Sequence, residues 1–513
     1  MTRIKILSGF FLWALLCAAV VSCTKDRVSD SDPDNPNTGK SASISLKIRI
    51  GETNPGTRDT PDDQDPEKKI KSIRIVLYGK ASETAEYCWD LKATNINTED
   101  GRIIPFHGAD VSENPATPTE TFFVSKAREA KRGDYYMLVI ANPSDEIKNA
   151  ANEGANISRI QGVFPDMTPA DLIGPDGEIQ MTNHQGLVEV RRDSDFWDTE
   201  LEAQTHPVFV ALERSLAKIV VKADHIEVPR GTYMNEFMWN VDIINKHTYW
   251  LRRPAEKADG LMEQYLDTDR ENFYAVDPNF SGYSENNGAT AQEKENLRNS
   301  LPRQFSYITE DQVDRYPLDD IGSAVYVTEN TMEAVEQRRD VTTRIVMSAS
   351  YWPNGLPPSR ANTAPHFYLY NNMPISPWQM ADYANYPYNI PEEYVGLAAV
   401  ISKVKAQGFD FSNPDAETNK PFSVDGLSFY KNGRTYYIVL VRHFDNTQKP
   451  VFMSYGRYGV VRNNVYEITI KSIGGPGSPV YPEPNPDPDD LEGWLIAELR
   501  VVPWDEYNLQ FDY

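Results

Sequence analysis

Cysteine is nearly absent from this chain: there are three in 513 residues. Cys17 lies in an N-terminal apolar run and Cys23 just after it, so only Cys88 remains in the body. One thiol makes no internal disulfide. With no paired base in view, Cys88 reads as a small buried residue beside Trp89. Histidine is also scarce, with seven residues scattered without HxH or HExxH spacing, which suggests neither a metal site nor a His-based triad. There is no nucleophile motif, phosphate loop or dinucleotide fingerprint. Acidic pairs such as Asp319-Asp320 and Asp489-Asp490 resemble a glycosidase couple, but a chain this acidic contains many by chance. Asn485 to Asp490 lacks the glycine and terminal glutamate of a calcium loop. The reading is therefore not an enzyme, with no cofactor and no metal. Positive charge is short as well. Net charge is −24, and −26 once residues 1–22, which carry only Arg3 and Lys5, are set aside. That argues against nucleic-acid binding and against adsorption to anionic lipid. No repeat at a solenoid or propeller period is evident.

What is present begins with an apolar run, Ile6 to Val21, behind Arg3 and Lys5. It is too short and too close to the start for a membrane span and reads as a secretory signal. It ends in Val20-Val21-Ser22-Cys23, similar to a bacterial lipoprotein signal in which the cysteine is acylated. A polar tether, Thr24 to Lys40, follows. The rest is long enough for several domains. It has 36 Pro, 28 Tyr and 9 Trp with little helical periodicity, which favours β architecture.

Two stretches alternate strongly. In Ser41 to Ile50, Ile44, Leu46, Ile48 and Ile50 share one face, with Ser43, Ser45, Lys47 and Arg49 on the other. In Gly493 to Tyr513, Leu495, Ala497, Leu499 and Val501 lead to Trp504 and then Leu509, Phe511 and Tyr513. Pro503 and Asp505 interrupt the alternation. The first stretch is followed by a turn-rich segment, Gly51 to Pro66, that contains Arg58 and suits proteolysis. The second is preceded by a Pro/Asp-rich segment read as an extended tether, at ~3.1 Å per residue.

Between them, Ile70 to Tyr78, Phe122 to Val124 and Tyr135 to Ala141 read as strands. Glu146 to Asn156, Ala170 to Ile173, Thr290 to Ser300, Pro391 to Gln407 and a segment capped by Ser376-Pro377 read as helices. Arg132-Gly133-Asp134 is read as a tight turn in preference to an integrin-binding tripeptide. Tyr351-Trp352 and Phe367 to Tyr370 are read as β-domain core in preference to sugar-stacking platforms. A boundary is placed within His206 to Val221.

These pieces resemble the Bacteroidales fimbrillin superfamily (type V pili), most closely the stalk subunit of the minor, short fimbriae. The resemblance rests on Gly459-Val-Val-Arg462-Asn463-Asn464-Val-Tyr466-Glu-Ile-Thr-Ile, on the tether and terminal strand, on Leu212 to Ile219, and on the signal with Ser41 to Arg58. It implies two β-sandwich (transthyretin-like) domains with a few short helices and an extended donor strand. The organisation would be signal 1–22, propeptide 23–58 with plug strand 41–50, domains 59–213 and 214–472, tether 473–492 and donor strand 493–513.

It also implies a mechanism. Cys23 carries the lipid at the outer membrane, and an Arg-specific surface protease cuts between Arg58 and Asp59, or alternatively at Arg49. The freed groove takes the terminal strand of another copy or of a related subunit, giving an extracellular fimbrium. About seven apolar side chains at ~1.5–3 kcal/mol each would supply roughly 10–20 kcal/mol gross. The alternative role is a surface lipoprotein or fimbrial tip adhesin binding glycan or host protein.

Overall fold

The computed structural model describes residues 40–53, 67 and 70–504, apart from internal segments of which the longest are 107–118, 254–273 and 444–457. The N-terminal alternating stretch forms two strands, β1 (Ser41–Ile44) and β2 (Leu46–Thr53). The sequence reads one strand here, and Ser45 is where it divides. The Ser45 hydroxyl donates to the Ser125 carbonyl at 2.7 Å, and the Leu46 N–H donates to Ser125 Oγ at 3.0 Å. β1 pairs with Arg128–Lys131, whereas β2 enters a different sheet.

That sheet is ten-stranded and mixed. On one side of β2 lies β3 (Thr119–Ser125), antiparallel to it, followed by Gly101–Phe106. On the other lies β4 (Val208–Arg214), parallel to it, followed by Met181–Asn183, Tyr135–Ala141, Ser72–Gly79 and Ala85–Lys92. Ile44, Leu46 and Ile48 lie in one apolar core with Ile73, Ile75, Phe123, Met137 and Val139.

The chain crosses at Ser215-Leu216 into β5 (Ala217–Lys222). β5 lies in a four-stranded sheet ordered β6 (Ala324–Val327), β5, β7 (Asn464–Ile473), β8 (Leu495–Pro503). A second four-stranded sheet contains Tyr233–Asp242, Arg344–Trp352 and Arg434–Leu440. Ile219, Trp239, Ile345, Ile468 and Leu499 share a core. The fold is thus mainly β with few helices. The two halves are not independent: Val76, Tyr78, Leu138 and Ile140 share a core with Leu216, Trp250, Val465 and Trp504.

Between Arg344–Trp352 and Arg434–Leu440 an additional unit is inserted. It has a four-stranded sheet, including Phe367–Tyr370 and Leu427–Tyr430, and the helices α1 (Pro377–Asn385) and α2 (Leu397–Ala406). It has its own core around Tyr368, Met380, Ile401 and Phe429. Ser376 caps α1 in a box with Gln379, as the Ser-Pro pair anticipates. α2 starts later than the sequence suggests, because Gly396 takes φ +86° and ends any helix from Pro391.

The Pro-rich segment read as an extended spacer is a strap packed on the second half. Tyr437 and Tyr430 donate their hydroxyls to the carbonyls of Gly475 and Gly477, at 2.9 and 2.8 Å. Tyr436 and Ser478 exchange backbone hydrogen bonds. Tyr481 is buried. Arg344 donates to the Pro482 carbonyl at 2.7 Å, and the Arg339 N–H donates to the Asp487 carbonyl at 3.0 Å. Proline keeps this segment out of a sheet interior, but its aromatic side chain and free carbonyls find partners. Among the described residues no helix is long and apolar enough to cross a membrane.

Candidate assembly site

Two strands carry the residues expected to make the subunit joint. Ile44, Leu46 and Ile48 are each fully buried. At ~1.5–3 kcal/mol per side chain they contribute roughly 5–9 kcal/mol gross. In the sheet order β2 is the single link between the block ending in β4 and the block starting with β3. Take it away, and two rows of backbone N–H and C=O groups lose their partners along a channel lined by Phe123 and Val210. Such groups are costly to leave unpaired. Ile50 belongs to β2 by its backbone. Arg49, the second-choice cleavage residue, is paired with Ala211 and Phe122 inside the sheet, which shields its peptide bond.

The terminal strand β8 is docked on its own chain. It runs antiparallel to β7, with Ile473 opposite Leu495 and Asn464 opposite Pro503. Leu499 is a core residue, and Leu495, Ala497 and Val501 pack against the same cluster, while Ile496, Glu498 and Arg500 face out. β8 is an edge strand with no partner on its outer side among the described residues. The outer face carries cross-strand pairs, Lys471 with Glu498 at 3.2 Å and Arg500 with Glu467 at 3.5 Å. Trp504 turns inward, buried in the core shared by both halves. Cys23, Arg58, Asp59, Leu509, Phe511 and Tyr513 lie outside the described residues.

The sequence places the junction within His206 to Val221 and draws attention to Arg462-Asn463-Asn464, but assigns none of these residues a contact. Arg462 is fully buried and pairs with Glu329 at 3.3 Å, while donating to the Trp250 and Tyr249 carbonyls. Glu213, also buried, faces Arg252 at 3.4 Å and His184 at 3.0 Å. Asn463 takes φ +59°, a conformation asparagine tolerates. In it, its N–H donates to the Leu216 carbonyl, its Oδ1 accepts from the Arg214 N–H, and its carbonyl accepts from the Trp504 N–H. One residue thus ties the junction, β7 and the end of β8. The Asn463-Asn464 pair was the available signal. Nearby, burial pushes Asp277 up to about 8, against the backbone hydrogen bonds that it accepts. Burial likewise drops His443 to about 3, so it stays neutral beside the Tyr466 hydroxyl at 2.7 Å.

The charges of Arg132-Gly133-Asp134 are engaged within the fold. Arg132 donates to the Phe196 carbonyl and to Asp198, and Asp134 pairs with Arg192. Among the described residues no group of three or more His, Cys, Asp or Glu is placed to hold a metal ion.

Two protein families match this chain. The family described as Major fimbrial subunit protein (FimA) matches residues 42–191. The one described as Major fimbrial subunit protein type IV, Fimbrillin, C-terminal, matches residues 428–509. The first match includes β1 and β2, and the second includes β7, the strap and β8. No curated protein matches. Similar solved structures include a fimbrilin (fimA) from Porphyromonas gingivalis W83, 15% identical, covering 91% of this chain and 98% of that chain with TM-score 0.41. The tip fimbrial protein Mfa3 from Porphyromonas gingivalis, with C-terminal truncation, is 12% identical, with coverage of 91% and 100% and TM-score 0.33. The fimbrial anchor protein Mfa2 from the same organism is 11% identical, with coverage of 42% and 65% and TM-score 0.20.

Proposed function

This chain belongs to the fimbrillin superfamily, and on that footing we propose that it is a stalk subunit assembled by proteolysis-triggered strand exchange. Its coarser role, a subunit of a cell-surface fimbria that assembles with other fimbrial subunits, rests on the family matches. The finer scheme has an order. Acylated Cys23 holds the precursor at the outer membrane. An Arg-specific protease cuts between Arg58 and Asp59, and β1 and β2 leave. The β8 strand of another copy, continuing through Leu509, Phe511 and Tyr513, then fills the channel.

The observation that carries this reading is the position of β2. It is fully buried at Leu46 and Ile48, it alone joins two blocks of one sheet, and the turn-rich segment with Arg58 follows it directly. A strand so placed is removable by one cut, and its departure creates a site specific for another amphipathic strand. The contact is head-to-tail, so it propagates. Nothing in the arrangement calls for an enzymatic step by this chain itself.

The test is a chain lacking Gly493 to Tyr513, exported and treated with the protease. Folded monomer and no fibre is expected. Fibres of normal length from that chain overturn the reading. N-terminal sequencing of assembled material should give Asp59; a start at Cys23 in fibres contradicts the cleavage step.

A second role, adhesion, is favoured by the inserted unit. Trp378 and Tyr388 there are 68% and 82% exposed, and Tyr388 lies against the exposed Tyr386 with ring centroids 5.9 Å apart; contiguous exposed apolar surface of this kind marks interaction sites. Removing the unit should leave fibres intact and abolish any binding to glycan arrays.

A further inference from the structure

Glu67 sits just past the segment that bears Arg58, yet its contacts lie on the junction, on β6 and at the end of β8. Its Oε1 accepts from Lys218 Nζ at 2.6 Å and from the Tyr326 hydroxyl at 2.5 Å. Its Oε2 accepts from the Trp504 indole N–H at 3.2 Å. Its carbonyl accepts from Arg214 Nε at 3.3 Å. Trp504 is stacked on Tyr326, with centroids 5.9 Å apart and planes 4° apart, and the Arg214 guanidinium lies 5.0 Å from the indole centroid. Glu67 thus closes a clasp built from the junction strand β5, from β6 and from the end of β8.

We propose that Glu67 is a latch that couples the uncut N-terminal segment to the seating of the C-terminal strand. The inference rests on the strand-exchange reading but makes a separate claim about the monomer. Burial pushes the Glu67 carboxyl up, but attraction and hydrogen bonds from Lys218 and Tyr326 outweigh it and hold the group below the usual carboxylate range. The carboxylate is therefore charged when it grips Trp504, and charge-assisted hydrogen bonds are the strong ones.

The coupling follows from connectivity. In the intact chain, Glu67 is tied on one side to β2 through residues 54–66 and on the other to Ser72–Gly79. A cut after Arg58 leaves Asp59 to Pro66 as a free end. Glu67 then loses its covalent tie to β2, and holding it in the clasp costs more entropy. Trp504 loses its acceptor more often, and β8, an edge strand, opens from that end. One cut would thus vacate the channel and loosen the strand destined for a neighbour's channel. Premature donation by uncut precursor would be suppressed by the same contact.

Hydrogen exchange of the amides from Ile496 to Val502 in the uncut monomer tests this. Glu67→Gln keeps the side-chain volume and removes the charge. It should speed exchange of these amides by about ten- to a hundred-fold, the loss expected for hydrogen bonds to a charged group, with β2 amides unchanged. Trp504→Phe keeps the ring and removes the donor, and should act in the same direction. It decides the matter should the first variant fail to fold. Cutting the wild-type monomer after Arg58 should move β8 exchange toward the Glu67→Gln value, with no further change in that variant. Unchanged β8 exchange in the variants, or in cut wild type, overturns the latch. Because the two variants are read in the uncut monomer, fibres from the chain lacking Gly493 to Tyr513 would overturn strand exchange and leave the latch result standing.

Discussion

Strands β2 and β8 carry the same alternation of apolar and polar residues, yet they are held in different ways. β2 has hydrogen-bonded neighbours on both sides, one parallel and one antiparallel, and its inward side chains are sealed. Among the described residues β8 has a neighbour on one side only, and of its inward residues Leu499 alone reaches full core burial. An edge strand opens by breaking one ladder, whereas a central strand must break two and split its sheet. Local opening free energies span from near zero to the global value according to such differences. Under the proposed scheme, β2 is the strand that needs a covalent cut before it leaves, and β8 the one that thermal opening can release.

The largest effects are expected from one core substitution in each strand. Ile48→Asp buries an unpaired carboxylate between two strands and should cost more than about 5 kcal/mol. Chemical denaturation of the uncut chain should show it largely unfolded. If Ile48→Asp folds with near-wild-type stability, β2 is not the sealed element described here. Leu499→Ala should cost about 2–3 kcal/mol. The loss should register mainly as faster exchange in β8, with a smaller shift of the global transition. Equal exchange increases in β2 and β8 would erase the distinction.

Acid sharpens it further. Glu67 has a folded-state pKa below its unfolded value, so its contribution is full above the ordinary carboxylate range. It is lost as pH falls through the depressed value. Lowering pH below the ordinary carboxylate range should therefore speed β8 exchange in wild type more than in Glu67→Gln, with no such difference in β2. The smallest effect is expected at the exposed pair Lys471–Glu498. Glu498→Gln should change stability by less than about 1 kcal/mol, measured by thermal denaturation.

Much of this comparison was legible in the sequence because period-two alternation reports one buried face directly. Ile44 to Ile48 and Leu495 to Val501 are such cases. Helix starts were legible where a cap chemistry exists, as at Ser376 with Gln379 and Thr290 with Glu293. Other features depend on distant partners and left no local trace. The break at Ser45 depends on Ser125, eighty positions away. Tyr481 looks like any aromatic in a Pro-rich spacer until Ile308 and Asp242 are placed beside its hydroxyl. Glu67 follows Asp59, Asp62, Asp63 and Asp65, and nothing in that acidic run marks it as the one facing Lys218 and Trp504. Nor does composition reveal that 366–430 closes a core of its own.

If the strand is donated as proposed, the strap has a consequence for the fibre as a whole. Among the described residues its last anchor is the Asp487 carbonyl, and seven residues separate Asp487 from Leu495 in the sequence. Fully extended, seven residues span at most roughly 25 Å. With the strap seated, a donated strand must begin inside that radius, well short of what twenty unattached residues would reach. The leash is short enough to act as a ruler. Successive subunits would stand almost in contact at a fixed spacing, and bending the fibre would require prying Tyr481 out of its pocket.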